Sequence, residues 1–432
     1  MEYRVCKGTI PVDIKNDEYI SIERDTPVKM YGIGFQAAKC IPEIPEWFCK
    51  KYLPQDWNCK ILEPFTGSGT TILEGIKNKN TVYWIDNNPL SRLISECKSI
   101  PIDLSILEEE SNRIISNAKK IEDVEVTMQF ANIDLWFQKP VQEALTILKN
   151  EIALINNENV KNAVNLALSI TVRKMSEMED SMILAARRSN NREMPVYSRD
   201  DVYENFSTNI QKVYEAYAEW NDYLDNERRA FQIETNDARQ INRENYFDAI
   251  VTSPPYINAM DYIWATKFEL HWLEFVGNDR ERLEVSNTEI GTERIPAKEY
   301  KELAITENEK LNQILKDIYE GTEYKATKGQ NELRSRVVYK YYNDMRIHFK
   351  EAYKALKDGG KYCFIIGDTS KICGVEIPVA DMLRDIAVEE GFEETFRFNL
   401  LLKNRRLNIP RASFAGTIKH DTVIVLEKRG MK

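Results

Sequence analysis

Apolar positions along this chain follow two rhythms. Short, nearly unbroken apolar runs recur as CKIL (residues 59–62), TVYWI (81–85), FQIET (231–235), FDAIV (247–251), KYCFII (361–366), FRFNLLLK (396–403) and TVIVLE (422–427). Runs of this length between Gly, Pro, Asn and Asp predict strands, several of them buried on both faces. Elsewhere apolar residues stand three or four apart, as in PVQEALTILKNEIALI, ENVKNAVNLALSITVRKM and DVYENFSTNIQKVYEAYAEWNDYL. That spacing predicts helices through residues 104–230, and a second helical stretch through about 260–355. The segment NCKILEPFTGSGTTILEGIKNKNTVYWIDNNPLS reads as strand, glycine-punctuated loop, helix (71–77) and strand, a βαβ unit. A helix over 379–390 precedes the last two runs, which predict an antiparallel hairpin with a long basic connection. The sum is an α/β fold: one mostly parallel sheet built from residues 1–103, 231–260 and 350–432, with helical insertions at 104–230 and 261–349.

The chain has 432 residues and a formal net charge of −10, which argues against a uniformly basic nucleic-acid-binding surface. Local basic clusters survive that average: Arg173 with Lys174, then Arg187, Arg188, Arg192 and Arg199, and the stretch LLKNRRLNIPR with Lys403, Arg405, Arg406 and Arg411. Any one of them also reads as an ordinary solvated face. Seven cysteines without a C-x-x-C pair suggest reduced thiols. Three dispersed histidines offer no metal-binding spacing, so no metal site is expected. No window nears the apolar length of a membrane span and the N-terminus lacks a signal-peptide core, so a cytoplasmic protein is the expectation.

Two stretches carry chemistry. In EPFTGSGTT, Gly67 and Gly69 stand where a strand hands over to a helix, so the backbone can approach a ligand and free amides can donate to it. Asp86 ends the following strand, where a carboxylate can accept both ribose hydroxyls of a nucleoside. A plain tight turn competes with this reading. Ile72 stands where a dinucleotide fingerprint wants its third glycine, and no G-K-[ST] follows for a phosphate loop. The second stretch is DAIVTSPPY. Two prolines end the strand at once and stiffen the loop beyond it. Tyr256 offers an aromatic face, while the Ser253 hydroxyl and Pro254 carbonyl are acceptors able to grip the hydrogens of a planar amine. A Pro-Pro turn with a packing tyrosine is the bland alternative.

LEPFTGSGTT, then IDNNP, then DAIVTSPPY together resemble the amino-group DNA methyltransferases of the SPPY type, which methylate cytosine N4 or adenine N6 from S-adenosyl-L-methionine. The likeness covers about half the chain, chiefly residues 35–103 and 233–262. It implies a class I, Rossmann-like methyltransferase fold with a seven-stranded, mostly parallel sheet. It implies that Glu63, Pro64, Phe65, Thr66, Gly67, Ser68, Gly69, Thr70, Thr71, Asp86, Asn87, Asp237 and Ala238 hold the cofactor, and that Ser253, Pro254, Pro255 and Tyr256 hold a base flipped out of double-stranded DNA. The segment GFQAAKCIPEIPEWFCKKY resembles the element that closes over the methionine part. Glu63 stands where the family often has Asp, and Ser253 where adenine enzymes commonly carry an acid or amide, which tilts the expectation toward cytosine N4. No Pro-Cys dipeptide supports attack at cytosine C5. Base contacts are expected from Arg187, Arg188, Arg192 and Arg199, and phosphate contacts from Lys403, Arg405, Arg406 and Arg411. A restriction endonuclease or defence-system subunit is the expected partner. An RNA base methyltransferase, a catalytically idle DNA-binding subunit and an enzyme acting on a glutamine amide are the competing readings.

Overall fold

The computed structural model describes residues 2–25, 27–36, 39–55, 58–179, 182–188, 195–225, 228–257, 261–327, 329–401 and 420–430. Its strands are β1 (Arg4–Lys7), β2 (Tyr19–Glu23), β3 (Lys60–Glu63), β4 (Thr81–Trp84), β5 (Ala230–Gln232), β6 (Phe247–Thr252), β7 (Leu356–Gly367), β8 (Ser370–Ile372), β9 (Val375–Ile377), β10 (Phe392–Leu401) and β11 (His420–Lys428). Nine of them form one sheet in the order β1-β2-β10-β11-β7-β6-β3-β4-β5, and β8 pairs with β9 apart from it. Only β11 runs against its neighbours β10 and β7. The other pairings in the sheet are parallel.

The seven-stranded expectation is therefore corrected to nine. Every run read from the sequence is present, and the run from β5 to β10 accounts for seven strands. The two additional strands lie at the N-terminal edge, where β2 joins β10 through the pairs Asn399↔Tyr19 and Leu400↔Ile20. They are four and five residues long, and β1 buries only Cys6, so they carry little of the apolar signal that marks a central strand.

Side chains alternate across the central strands, as a period of two requires. Leu62, Ile250, Tyr362 and Phe364 face the helices Gln330–Ala355 and Val379–Glu389. Ile61, Ala249, Val251 and Cys363 face the helix Glu43–Tyr52 on the other side. The helices between β4 and β5 (Leu104–Ala118, Ile133–Trp136, Lys139–Ala153, Glu158–Lys174 and Arg199–Leu224) share a core with the helices Thr70–Lys77 and Pro89–Ser99. Tyr217 and Trp220 of the longest of them donate to the carbonyls of Cys97 and Lys98, at 2.6 and 3.0 Å. This stretch is thus welded to the sheet by buried polar contacts as well as apolar ones. The segment between β6 and β7 begins with the short helices Tyr262–Ala265, Lys267–Trp272 and Asp279–Asn287. The result is a mixed-sheet α/β fold resembling a Rossmann-like methyltransferase core with helical insertions.

Candidate active site at the ends of β3, β4 and β6

The two stretches singled out in the sequence meet at one edge of the sheet. β3 and β6 are direct parallel neighbours, with Ile61 opposite Ala249 and Leu62 opposite Ile250, so Glu63 and Thr252 reach the same end together. The Glu63 carboxyl ties the loops that follow: it accepts from the Phe65 amide at 3.0 Å, from the Thr71 hydroxyl at 2.6 Å and from the Thr252 hydroxyl. Burial pushes its pKa up to about 8 against the opposing pull of those three hydrogen bonds, and the nearby Asp86 adds to the rise. In the fold this side chain is the internal staple between the glycine loop and the strand leading into Ser253.

The glycine loop bends through left-handed backbone at Gly67 (φ +48°) and Gly69 (φ +71°), a region costly for residues with a Cβ. A Cβ on Gly69 would sit 3.1 Å from Cδ of Lys98, whose ammonium donates to the Ser68 carbonyl at 2.7 Å. Burial lowers the Lys98 pKa to about 7. The Thr66 hydroxyl meets Ser95 at 3.1 Å, and the Ser68 and Thr70 hydroxyls meet at 3.0 Å. Asp86, at the end of β4, accepts from the Gly67 amide through Oδ2 and from the Asn88 amide through Oδ1, each at 2.8 Å. Burial raises its pKa, and those two amides oppose the rise. With Ser91 as a further donor the carboxylate still has acceptor capacity, and a Cβ on Gly67 would find only the Phe65 carbonyl, 3.8 Å away. An unfilled cradle beside an acceptor pair suits the nucleoside part of a ligand such as S-adenosyl-L-methionine.

Asn87 donates to Thr288 at 3.4 Å. Asp237 is clamped by its near neighbour: the Arg239 guanidinium contacts both carboxylate oxygens, at 2.9 to 3.2 Å, and also holds Asp344 at 3.0 Å. The Ala238 carbonyl accepts from His348 Nδ1 at 2.8 Å, which makes Nε2 the acceptor for the Tyr362 hydroxyl at 2.7 Å. Burial holds the imidazole neutral, with its pKa down near 4. The His348 ring lies 4.9 Å from that of Phe65, so this buried relay braces the strand end after β5 against the glycine loop.

At the end of β6, Pro254 is buried while Ser253, Pro255 and Tyr256 are half-buried. Tyr341 donates to the Pro255 carbonyl at 2.9 Å and fixes the loop from below. No hydrogen bond among the described residues takes up the Ser253 hydroxyl or the Pro254 carbonyl. Tyr256 and Phe65 pack against the same apolar cluster. Tyr262 hydrogen-bonds with the Tyr256 backbone, and its phenol is raised by burial first, then by Tyr256, Glu289 and Asp86. Asp86 and Tyr256 therefore both act on the half-buried Tyr262. Glu289, held by Ser286 at 3.1 Å and by the Ile263 amide at 3.2 Å, is pushed up to about 8 by burial and by Asp261. Sequence reading assigned no role to Tyr262, six residues from Tyr256, and missed Glu289, Tyr341, His348 and Lys98, whose contacts span separations that no local pattern marks.

Of the basic residues expected to face DNA, Arg187 is exposed, and Arg188 donates to the Met178 carbonyl at 3.0 Å. Arg199 is committed elsewhere: it grips Glu143 at 2.6 and 2.9 Å and the carbonyls of Ile121 and Glu122 at 3.2 and 2.7 Å. Arg192, Lys403, Arg405, Arg406 and Arg411 lie outside the described residues.

No family model matches the chain. The type II methyltransferase M.MvaI of Kocuria varians is 22% identical over 379 residues, 81% of this chain and 78% of that protein. M.AvaI of a Nostoc species and M.BsoBI of Geobacillus stearothermophilus, also type II methyltransferases, are 29% and 27% identical over 34% and 35% of this chain. The chain spans 31% and 32% of those two proteins. Over four-fifths of its length, then, this chain is similar to a type II methyltransferase at low identity, and over about a third of it to two more.

Proposed function

We propose that this protein is a site-specific DNA methyltransferase that moves a methyl group from S-adenosyl-L-methionine to an exocyclic amino group of a flipped base, cytosine N4 in preference to adenine N6. The observation that carries the reading is the Glu63 staple, which brings the loop around Gly67 and the loop around Pro254 to the same edge of adjacent parallel strands. In α/β sheets, ligands bind at the carboxyl ends of strands, and here two sockets share that edge.

The cofactor supplies an activated methyl on a sulfonium. The chain's own residues position the acceptor. Ser253 and Pro254 present the two uncommitted acceptors, suited to the hydrogens of a planar amine whose lone pair is otherwise delocalised into its ring. Gripping those hydrogens favours a pyramidal nitrogen with its lone pair free. Tyr256 supplies the stacking face that compensates a base for leaving the duplex. Asp86 and the amides around Gly67 form the nucleoside socket, with Asp237 and Ala238 at the adenine end. Arg187 and Arg188 are placed as base-reading residues on the strap after the helix Glu158–Lys174. A restriction endonuclease of the same recognition sequence is the proposed partner, as the type II names of the relatives suggest. Among the described residues, no helix is long and apolar enough to cross a membrane.

The test incubates the purified protein with labelled cofactor and either duplex DNA or tRNA, alongside modification-sensitive sequencing of DNA from cells with and without the gene. Label entering duplex DNA at one recurrent sequence is expected. Label entering tRNA alone, or no label in either, overturns the reading.

A further inference from the structure

Where the two insertions meet lies a cationic group that the glycine loop and the SPPY loop do not use. Lys267, 6% exposed, ends with its ammonium 3.9 Å from the Trp136 ring centre, 4.1 Å from Trp264 and 4.7 Å from Phe268. Among the described residues it makes no hydrogen bond and no ion pair. Arg282, 4% exposed, stands 4.9 Å from the Trp264 ring, and its Nη1 is buried without a partner. The acid beside them is Asp279, which accepts from Arg282 at 3.2 Å and also from the Ala131 amide at 2.9 Å. His271, neutral at physiological pH because burial lowers its pKa, adds no charge. Two buried cations thus stand by a single carboxylate, which pairs with Arg282 and not with Lys267, in a protein whose formal net charge is −10. Buried cations are normally matched, so an unmatched one facing aromatic walls points to an anion that arrives from outside.

Position identifies the anion. Lys267 directly follows Thr266, which accepts from Asn88 at 3.2 Å two residues after Asp86. One turn earlier is Tyr262, against Tyr256. Arg173 donates to the Ala265 carbonyl at 2.9 Å and to the Ile183 carbonyl at 2.8 Å, which ties the strap bearing Arg187 and Arg188 to the same short helices. Trp136, from the first insertion, closes the cage and accepts at its carbonyl from the Glu177 amide at 2.8 Å. The cationic pair therefore lies where the two insertions meet, next to a short helix tied through Thr266 to Asn88 and through Tyr262 to Tyr256.

We propose that Lys267 and Arg282, walled by Trp136 and Trp264, form a phosphate seat for the DNA strand that carries the extruded base. The proposal rests on the DNA reading above and adds to it the pair of cations that anchors the backbone beside the flipped nucleotide. A phosphate there completes the pairing of Lys267 and of Arg282 Nη1, and the indole rings keep water from competing for it.

The test measures duplex binding by fluorescence anisotropy over a range of salt for the full chain, Lys267→Gln and Lys267→Arg. Lys267→Gln is expected to weaken binding roughly three- to tenfold and to reduce the slope of log affinity against log salt by about 0.9, the loss of one phosphate contact, with Lys267→Arg restoring both. An unchanged slope, or a lowered Tm with unchanged DNA binding, makes Lys267 a structural pillar and overturns the seat. Should Lys267→Gln not fold, lysine acylation of the wild-type protein with and without duplex, read by mass spectrometry, decides: protection of Lys267 supports the seat and equal labelling refutes it. Methyl transfer measured in parallel separates the two ideas. Transfer to DNA with an unchanged slope removes the seat alone, whereas a reduced slope without transfer keeps the seat and removes the methylation reading.

Discussion

Glu63 and Lys267 are both more than nine-tenths buried, yet their surroundings differ in kind. Glu63 is saturated from within the fold by Phe65, Thr71 and Thr252, so its carboxyl is a strut between two loops. Lys267 is surrounded by aromatic rings and lacks an acceptor among the described residues. The lesson is that burial of a charged group does not by itself mark a binding site; the deciding question is whether the fold completes its pairing. By that criterion the strand-end edge is built from satisfied groups that hold a few open ones in place, namely Asp86, Ser253 and Pro254, whereas the face made by the insertions leaves cations for a partner to complete.

The largest effect is expected at an open group. Tyr256→Ala should lower turnover about a hundredfold while leaving cofactor affinity within a factor of two or so, because it removes the stacking face for the base and nothing from the glycine loop; equilibrium cofactor binding beside methyl-transfer rates reads the split, and equal loss of both would give Tyr256 a structural role. Asp86→Ala should weaken cofactor binding about thirtyfold, since the carboxylate both presents acceptors and holds the Gly67 and Asn88 amides. Titration calorimetry checks this, and unaltered affinity would place the nucleoside elsewhere.

The strut predicts a different signature. Glu63 ordinarily titrates at 4.5 and is raised to about 8 in the fold, so between those values the unfolded chain releases its proton while the folded chain keeps it. Stability is then full below pH 4.5 and falls as pH rises toward 8. Glu63→Gln should flatten that decline by roughly 1–2 kcal/mol, leaving the part contributed by Glu289, which shifts in the same direction. Denaturant melts from pH 5 to 8 report it, and an unchanged pH dependence would contradict a Glu63 held neutral, its own proton then donated to one of the two threonine hydroxyls. The smallest effects separate two arginines. Arg199→Ala should cost about 1 kcal/mol of stability with DNA affinity unmoved, because its guanidinium is spent on Glu143 and two carbonyls. Arg187→Ala should leave Tm unmoved and weaken DNA binding roughly threefold. A reversal would exchange their roles.

Much of this molecule is legible from one sequence because strands, the βαβ turn and the proline stop are written in contiguous residues. The central runs of the sheet, the glycine loop with Asp86 and the SPPY loop all fall into that class. β1 and β2 escaped because RVCK and YISIE are short edge segments whose place depends on β10, far away in the chain. The staple made by Glu63 was invisible for a related reason. The resemblance pointed only to a ligand role for it, while its partner Thr252 is distant in sequence and local spacing carries no trace of that bond. The cage around Lys267 draws on Trp136 and Trp264 from separate insertions, so it too emerges only once the chain is folded.

The most direct measurement is to transfer an isotopically labelled methyl group to duplex DNA, digest the product to nucleosides and identify the labelled one by mass spectrometry. Label on an exocyclic amine, as N4-methylcytosine, is the predicted result. Label on cytosine C5, or DNA that stays unlabelled while the protein binds cofactor, would contradict an edge built to grip an amine.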